Sequence, residues 1–423
     1  MKNVFKGSVA FALFASCAMV SCLYDVGESD VDGPVSENPS GPLRIYSDPY
    51  ALVDWEADQR LLAQHHDHIA ASAMRLMAYD RAGYHVVPLM DYSGASDLPF
   101  SLKSRLWPVD SCVAPATIAS FTNIRLLIPD AEEVGISDRH FTSPFLTEYI
   151  QHSRGAPPGD PAPQYATESE LASLIRSRGG LPIKAHPWYS ASELIAGPDV
   201  FGMEIYSAYI SAKRLEGVPE FVNEDRNEKL LANWDAVLSS GRWWVGVAVN
   251  DHFGPHQPPT ITAPEIRDSG KILVLAHDAT LPGYRDAFER GAFFAIQDNG
   301  VTKGGYPTVN GISVGPESIT IDANGATNVR WISMGQEIGT GPTLAFSTFP
   351  AGAVYLRAEI QGDAHVVYTQ PFVLRHADDI DGDGRLTNAD KSLCDDVASG
   401  LSASTPEIVA ACAVNSMTSR STL

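Results

Sequence analysis

Histidines and carboxylates stand at the ends of apolar runs along the middle of this chain, and those residue types in that placement suit cation binding. The segment His66-Asp67-His68 follows Leu61-Leu62-Ala63-Gln64. In an extended backbone residues two apart point to one side, so both imidazoles reach a single ion. Asp91 closes the run His85-Val86-Val87-Pro88-Leu89-Met90. Glu132 follows Leu126-Leu127-Ile128-Pro129, with Glu133 competing for the same role and His140 shortly after. His186 ends the strand-like residues 181–185, Glu204 lies in Gly202-Met203-Glu204-Ile205, and Asp251 and His252 end the almost wholly apolar residues 242–249. One histidine after a strand is more often a hydrogen-bonded structural residue. Their joint occurrence at successive strand ends points instead to a site for two or more cations of the Zn, Mn or Fe type.

A second cation chemistry lies near the C-terminus. Asp379-Ile380-Asp381-Gly382-Asp383-Gly384 continues through Arg385, Thr387 and Asp390. Three carboxylates at alternating positions converge on one hard cation, and Gly384 permits the sharp turn. The Arg385 carbonyl, Thr387 and Asp390 complete the shell, a spacing like that of an EF-hand calcium loop. A solvated acidic loop is the plain alternative.

These groups need a scaffold. From about residue 48 to 297 strand-like and helix-like patterns alternate, which favours an α/β architecture. Helices are expected over residues 69–82, 168–178, 226–239 and 284–290, and strands over 85–90, 181–185, 200–206, 242–249 and 271–276. If the strands are parallel and form a barrel, their ends open on one face, where functional residues gather. Residues 152–167, rich in Pro and Gly, read as a loop insertion. From 305 to 375 the helical pattern vanishes and short strands alternate with turn residues, as in a small β-sandwich.

With 423 residues the chain is long enough for two or three domains. Its 51 acidic against 30 basic residues give a net charge of −21, which repels phosphate backbones and argues against nucleic acid. Lys2 and Lys6 precede an apolar stretch over 9–20 that is too short to span a bilayer. That stretch ends in Met19-Val20-Ser21-Cys22, which resembles a bacterial lipoprotein signal with Cys22 as the lipidated residue. Cys17, or plain secretion, is the alternative. Residues 24–42 are acidic and rich in Ser, Gly and Pro, as in a flexible tether. Cys394 and Cys412 belong to the C-terminal module and can pair in an oxidising compartment, leaving Cys112 alone.

The order of motifs resembles the polymerase-and-histidinol-phosphatase (PHP) superfamily over roughly residues 60–375. His66-Asp67-His68 matches its opening His-x-His, and Pro129-Asp130-Ala131-Glu132 its Pro-Gly-x-Glu, with His140 following. Gly179-Gly180-Leu181-Pro182-Ile183-Lys184-Ala185-His186-Pro187 is similar to its Gly-Gly-x-x-x-x-Ala-His-Pro, and residues 246–252 to its last metal motif. Gly291-Ala292-Phe293-Phe294-Ala295, Tyr355-Leu356-Arg357 and Gln370-Pro371 resemble the carbaryl-hydrolase-like branch. The chain departs from the pattern in three places. Tyr92 follows Asp91 where His is usual, and the Ser-Asp-Gly often found after His-x-His is missing. The last motif reads either Asp251-His252 or Asn250-x-His252, with His256 near enough to substitute.

The resemblance implies an α/β fold: a distorted PHP-type (β/α) barrel, then a small β-sandwich and an EF-hand or dockerin-like module. The expected boundaries are 1–22 signal, 23–47 tether, 48–300 barrel, 301–376 sandwich and 377–423 tail. It implies metals held by His66, His68, Asp91, Glu132, His140, His186, Asp251 and His252, acting on a small-molecule phosphoester or related ester or carbamate. Two cations bridged by Glu132 would acidify a water. His140 or His252 would protonate the leaving group, and Asp67 would orient a ligating imidazole. The dockerin-like tail implies a cohesin-type partner, and membrane association only through the lipid anchor. The competing reading is an inactive barrel serving as an extracellular binding or assembly module.

Overall fold

A computed structural model describes residues 42–68, 73–90, 116, 119–128, 131–150, 164–210, 226–251, 270–298, 305–363, 365–377 and 379. The signal segment with Cys22, and Asp91, His252, Asp381, Asp383, Arg385, Thr387 and Asp390, lie outside the described residues.

The first half of the chain carries β1 (Leu43–Ser47), β2 (Gln59–Ala63), α1 (Ala73–Arg81), β3 (Val86–Pro88), β4 (Leu126–Ile128), β5 (Glu132–Ile136) and β6 (Arg139–Ser143). Next come α2 (Glu168–Ser177), β7 (Ile183–Lys184), α3 (Ala191–Ala196), β8 (Gly202–Ser207), α4 (Arg226–Ser239) and β9 (Val245–Val249). Then β10 (Gly270–Ala276), α5 (Leu281–Glu289), β11 (Phe293–Asp298), β12 (Thr308–Val314), β13 (Ser318–Asn324) and β14 (Asn328–Ser333) follow. The last are β15 (Gln336–Thr340), β16 (Thr343–Ala345), β17 (Tyr355–Gln361), β18 (His365–Tyr368) and β19 (Phe372–His376).

Local chemistry sets the helix ends. Thr167 and Glu170 form a reciprocal capping box at the start of α2, and Ser190 and Glu193 do the same for α3. Gly179, at φ +76, lets the chain leave α2 in the left-handed region. Helix α4 turns Leu230, Trp234, Val237 and Leu238 into the core. Strand β9 is Val-Gly-Val-Ala-Val and buried throughout, as a strand covered on both faces must be.

The described strands form open sheets and close no barrel. One sheet runs β5-β6-β7-β8-β9, with β7, β8 and β9 parallel and the β5-β6 hairpin antiparallel beside them. A large sheet runs β1-β19-β17-β18-β11-β10-β2-β3-β4, with β14 and β15 added at β17. Strands β9 and β10 approach so closely that a Cβ on Gly270 would lie 2.2 Å from the Val249 carbonyl oxygen. Yet a side chain takes part of the edge of β9. The Gly246 amide donates to Gln370 Oε1 at 2.8 Å, and Gln370 Nε2 donates to the Gly246 carbonyl at 2.9 Å. The primary amide imitates a strand's donor and acceptor and satisfies backbone groups that a barrel ladder would have used.

Residues 305–376, expected as a small β-sandwich, form two packed layers of strands. The sheet β12-β13-β16 packs Ile312, Ile319, Ile321 and Leu344 against Val329, Trp331, Leu356, Ala358 and Ile360. The second layer belongs to the large sheet, which continues across the boundary where β11 pairs with β18. Leu43–Ser47, read above as the end of a tether, is β1 and pairs antiparallel with β19.

Candidate metal centre

The C-terminal ends of β2, β7 and β9 and the hairpin β5-β6 converge on one buried cluster. Its hub is Glu133. Glu133 Oε2 stands 3.1 Å from His68 Nε2 and 3.3 Å from His66 Nε2. Glu133 Oε1 stands 2.7 Å from His140 Nδ1 and 3.2 Å from His186 Nε2. Two groups of metal-capable atoms therefore share one carboxylate: His66, His68 and Glu133, and Glu133, His140 and His186. Asp251 Oδ1 joins the first, 3.5 Å from His66 Nε2 and 3.6 Å from His68 Nε2.

Strand alternation explains why the shared carboxylate is Glu133 and not Glu132. Val134 and Phe141 face the core, so Glu133, Gly135, His140 and Thr142 face the other way. Glu132 points to the core side, where its carboxylate accepts from the Ile150 amide at 3.2 Å. The signal available in the sequence was alternation: with Val134 facing the core, Glu132 shares its face and Glu133 takes the other. The motif alignment, which set Glu132 on the Pro-Gly-x-Glu pattern, pointed one residue away.

Asp67 also lies elsewhere than expected. It accepts from the Tyr79 hydroxyl at 2.5 Å and pairs with Arg75 at 3.1 Å. The carboxylate that orients an imidazole is Glu204. Its Oε1 is 2.7 Å from His66 Nδ1, and its Oε2 accepts from the His186 amide at 2.6 Å. Of the two readings of the last motif, Asp251 faces the cluster, whereas Asn250 donates to Tyr79 at 2.9 Å. Lys184 forms an ion pair with Glu168 beside the Phe141 ring, and Arg242 donates to the Gly197 and Pro198 carbonyls at 3.1 Å. Asp379 follows β19, buried, with its amide on the His376 carbonyl at 3.1 Å.

The donor set fits divalent cations. His66 Nδ1–H given to Glu204 leaves the Nε2 lone pair facing Glu133 and Asp251. His140 Nε2–H given to the Ser137 carbonyl at 3.0 Å leaves the Nδ1 lone pair facing Glu133 Oε1. A lone pair and a carboxylate oxygen at that range need a positive centre between them. Buried Asp251 Oδ1 and His186 Nδ1 make no hydrogen bond among the described residues. Titration agrees. Burial alone pulls the His66 imidazole down, yet Asp251, Glu204 and Glu133 lift it well above its ordinary 6.5. Burial pushes Glu133 up, yet His140 and His66 hold it well below 4.5. The pocket's field favours added positive charge, which a cation supplies.

Backbone strain gathers here as well. His186 has φ +30 and Asp251 φ +51, values uncommon outside glycine. The His186 amide is tied to Glu204, and the Asp251 amide donates to the His66 carbonyl at 2.8 Å, so the surroundings over-determine both turns. His186 stacks on Trp188, their centroids 4.7 Å apart.

Gly135 is a further requirement of the site. A Cβ there would meet His140 Cδ2 at 2.5 Å and the Arg139 carbonyl at 2.6 Å. We predict that Gly135→Ala rotates or displaces His140 and weakens metal at the Glu133, His140 and His186 half by about 10-fold or more. Isothermal titration with Zn2+ checks this, and an unchanged isotherm would remove Gly135 from the account.

No protein-family model matches this chain, and no curated protein matches it. Among solved structures it is similar to a two-domain protein from Bacteroides vulgatus described as containing a predicted PHP-like metal-dependent phosphoesterase. Identity is 14%, over 75% of this chain and 96% of that one, with a TM-score of 0.38. A likeness of that size carries no argument for this chain, whose chemistry rests on its own residues.

Proposed function

We propose that this chain is a metal-dependent hydrolase of the PHP type, cleaving a phosphoester or a related ester or carbamate bond. One observation carries the reading: each oxygen of buried Glu133 faces a separate pair of imidazoles. In this proposal His66, His68, Glu133 and Asp251 hold one cation, and Glu133, His140 and His186 a second. Bound there, Zn, Mn or Fe ions would supply Lewis acidity and a water that ionises near neutral pH.

The chain's own groups do the rest. Glu204 keeps the His66 ring in one tautomer and anchors the His186 turn. His140 has Nε2 on the Ser137 carbonyl and Nδ1 on Glu133, so it serves as a ligand rather than as the proton donor. Donation to the leaving group then falls to His252. The proposal extends to an exported chain lipidated at Cys22, a calcium-loaded C-terminal loop and a cohesin-type partner, which rest on sequence pattern.

The test is metal analysis of the purified full-length chain joined to hydrolysis of bis(p-nitrophenyl) phosphate. About two transition metals per chain are expected, with turnover lost to chelator and restored by Zn2+, Mn2+ or Fe2+. Fewer than about one metal per chain and no restored turnover would leave the binding-module reading in its place.

A further inference from the structure

Helix α1 carries Arg75 and Tyr79 one turn apart on the side that meets the His66-Asp67-His68 segment. Arg75 donates to the His68 carbonyl and pairs with Asp67 Oδ1 at 3.1 Å. The Tyr79 hydroxyl, wholly buried, donates to Asp67 Oδ2 at 2.5 Å. It accepts from Asn250 Nδ2 at 2.9 Å and from Gln64 Nε2 at 3.3 Å. Gln64 and Asp67 belong to the segment after β2 that bears His66 and His68, and Asn250 directly precedes Asp251. One hydroxyl thus ties the end of β2 to the end of β9, strands of two different sheets.

We propose that Tyr79 is a positioning residue that sets the span between His66 and His68 on one side and Asp251 on the other. It acts on that half of the metal centre alone. The inference rests on the metal reading above. Its physical basis is the geometry of the two sheets. Strands within one sheet are spaced by their ladder, but β2 and β9 share none, so another link must hold their ends at ligand distance. The Asp251 amide on the His66 carbonyl is one such link, and the Tyr79 hydroxyl is a side-chain link that stands behind the ligands. Asp67 acquires a role through it: the residue between the two histidines anchors them from behind. His140 and His186 come from β6 and the end of β7, and the Tyr79 hydroxyl makes no bond to that half among the described residues.

The experiment is Co2+ titration of the full-length chain, followed by visible absorption, for wild type and Tyr79→Phe, with thermal melting of the metal-free proteins alongside. Wild type should take up about two equivalents. Tyr79→Phe should keep one at unchanged affinity and bind the other about 10–100-fold more weakly, the usual cost of losing a partner behind a ligand. Excess Co2+ should restore its turnover by mass action. Equal weakening of both ions would mark a merely structural residue and overturn the proposal, and so would two unchanged affinities. A wild type that binds no Co2+ would remove the metal reading and this inference together. Two unchanged ions in Tyr79→Phe would remove the inference alone. If Tyr79→Phe does not fold, Asn250→Ala decides by the same titration, since it leaves the Tyr79 and Asp67 pair in place and cuts only the link to β9.

Discussion

Replacing Glu133 by Gln should strip both halves of the centre at once. The substitution keeps the side chain's length and removes the charge that all four imidazoles face. A neutral amide offers one oxygen where the carboxylate offers two, so it cannot serve both pairs. We expect metal content to fall from about two ions to near none and phosphodiester turnover to drop to background, a loss of at least about 100-fold. Glu132→Gln is the matching control. Its side chain lies on the opposite face of β5, where an amide oxygen still accepts from the Ile150 backbone. Metal content should be unchanged. A reversal of the two results, with Glu132 essential and Glu133 dispensable, would overturn the assignment of strand faces and the shared-carboxylate geometry with it.

The second large effect is on stability. Arg357, on β17 and only 1% exposed, donates through Nε and Nη2 to the two oxygens of Asp235 on α4, both at 2.7 Å. Its Nη1 donates to Glu359 at 2.8 Å, and the guanidinium lies over the Trp234 ring. Tyr355 adds a bond to Asp235 at 2.8 Å. The network joins the helix of the α/β half to the strands of the second half. Arg357→Met leaves buried Asp235 without its cation, while Glu359 keeps Arg330 at 2.7 Å, and should cost about 3–5 kcal/mol in urea unfolding. Arg357→Met combined with Asp235→Leu removes the stranded charge at Asp235 and should recover part of that loss. A single substitution costing under about 1 kcal/mol would place this network in the class of surface pairs.

Much of the element pattern was legible in the sequence. Helix α4 spans the 14 residues its periodicity marks. Buried β9 is announced by an uninterrupted apolar run, and the end of α2 by the Gly179-Gly180 pair. The alternation in His66-Asp67-His68 was enough to set both rings on one side, and both reach Glu133. What local pattern could not supply was pairing between distant segments. The β5-β6 hairpin escaped notice because its residues combine two acids, a glycine and a histidine, a composition that reads as a loop until Val134 and Phe141 are seen in the core.

Composition and periodicity, then, determined an acidic α/β chain with metal-type side chains at its strand ends, because side-chain chemistry and backbone period are written residue by residue. Tertiary structure decided which acid sits at the centre, which carboxylate steers an imidazole, and that the described strands close no barrel. The shared acid followed from the face of β5 that meets the core. Among the described residues Gln370, 124 positions from Gly246, takes the backbone groups on the edge of β9 that a barrel ladder would have used. Contacts of that kind depend on where two remote segments meet in space, and short-range sequence pattern does not encode that meeting.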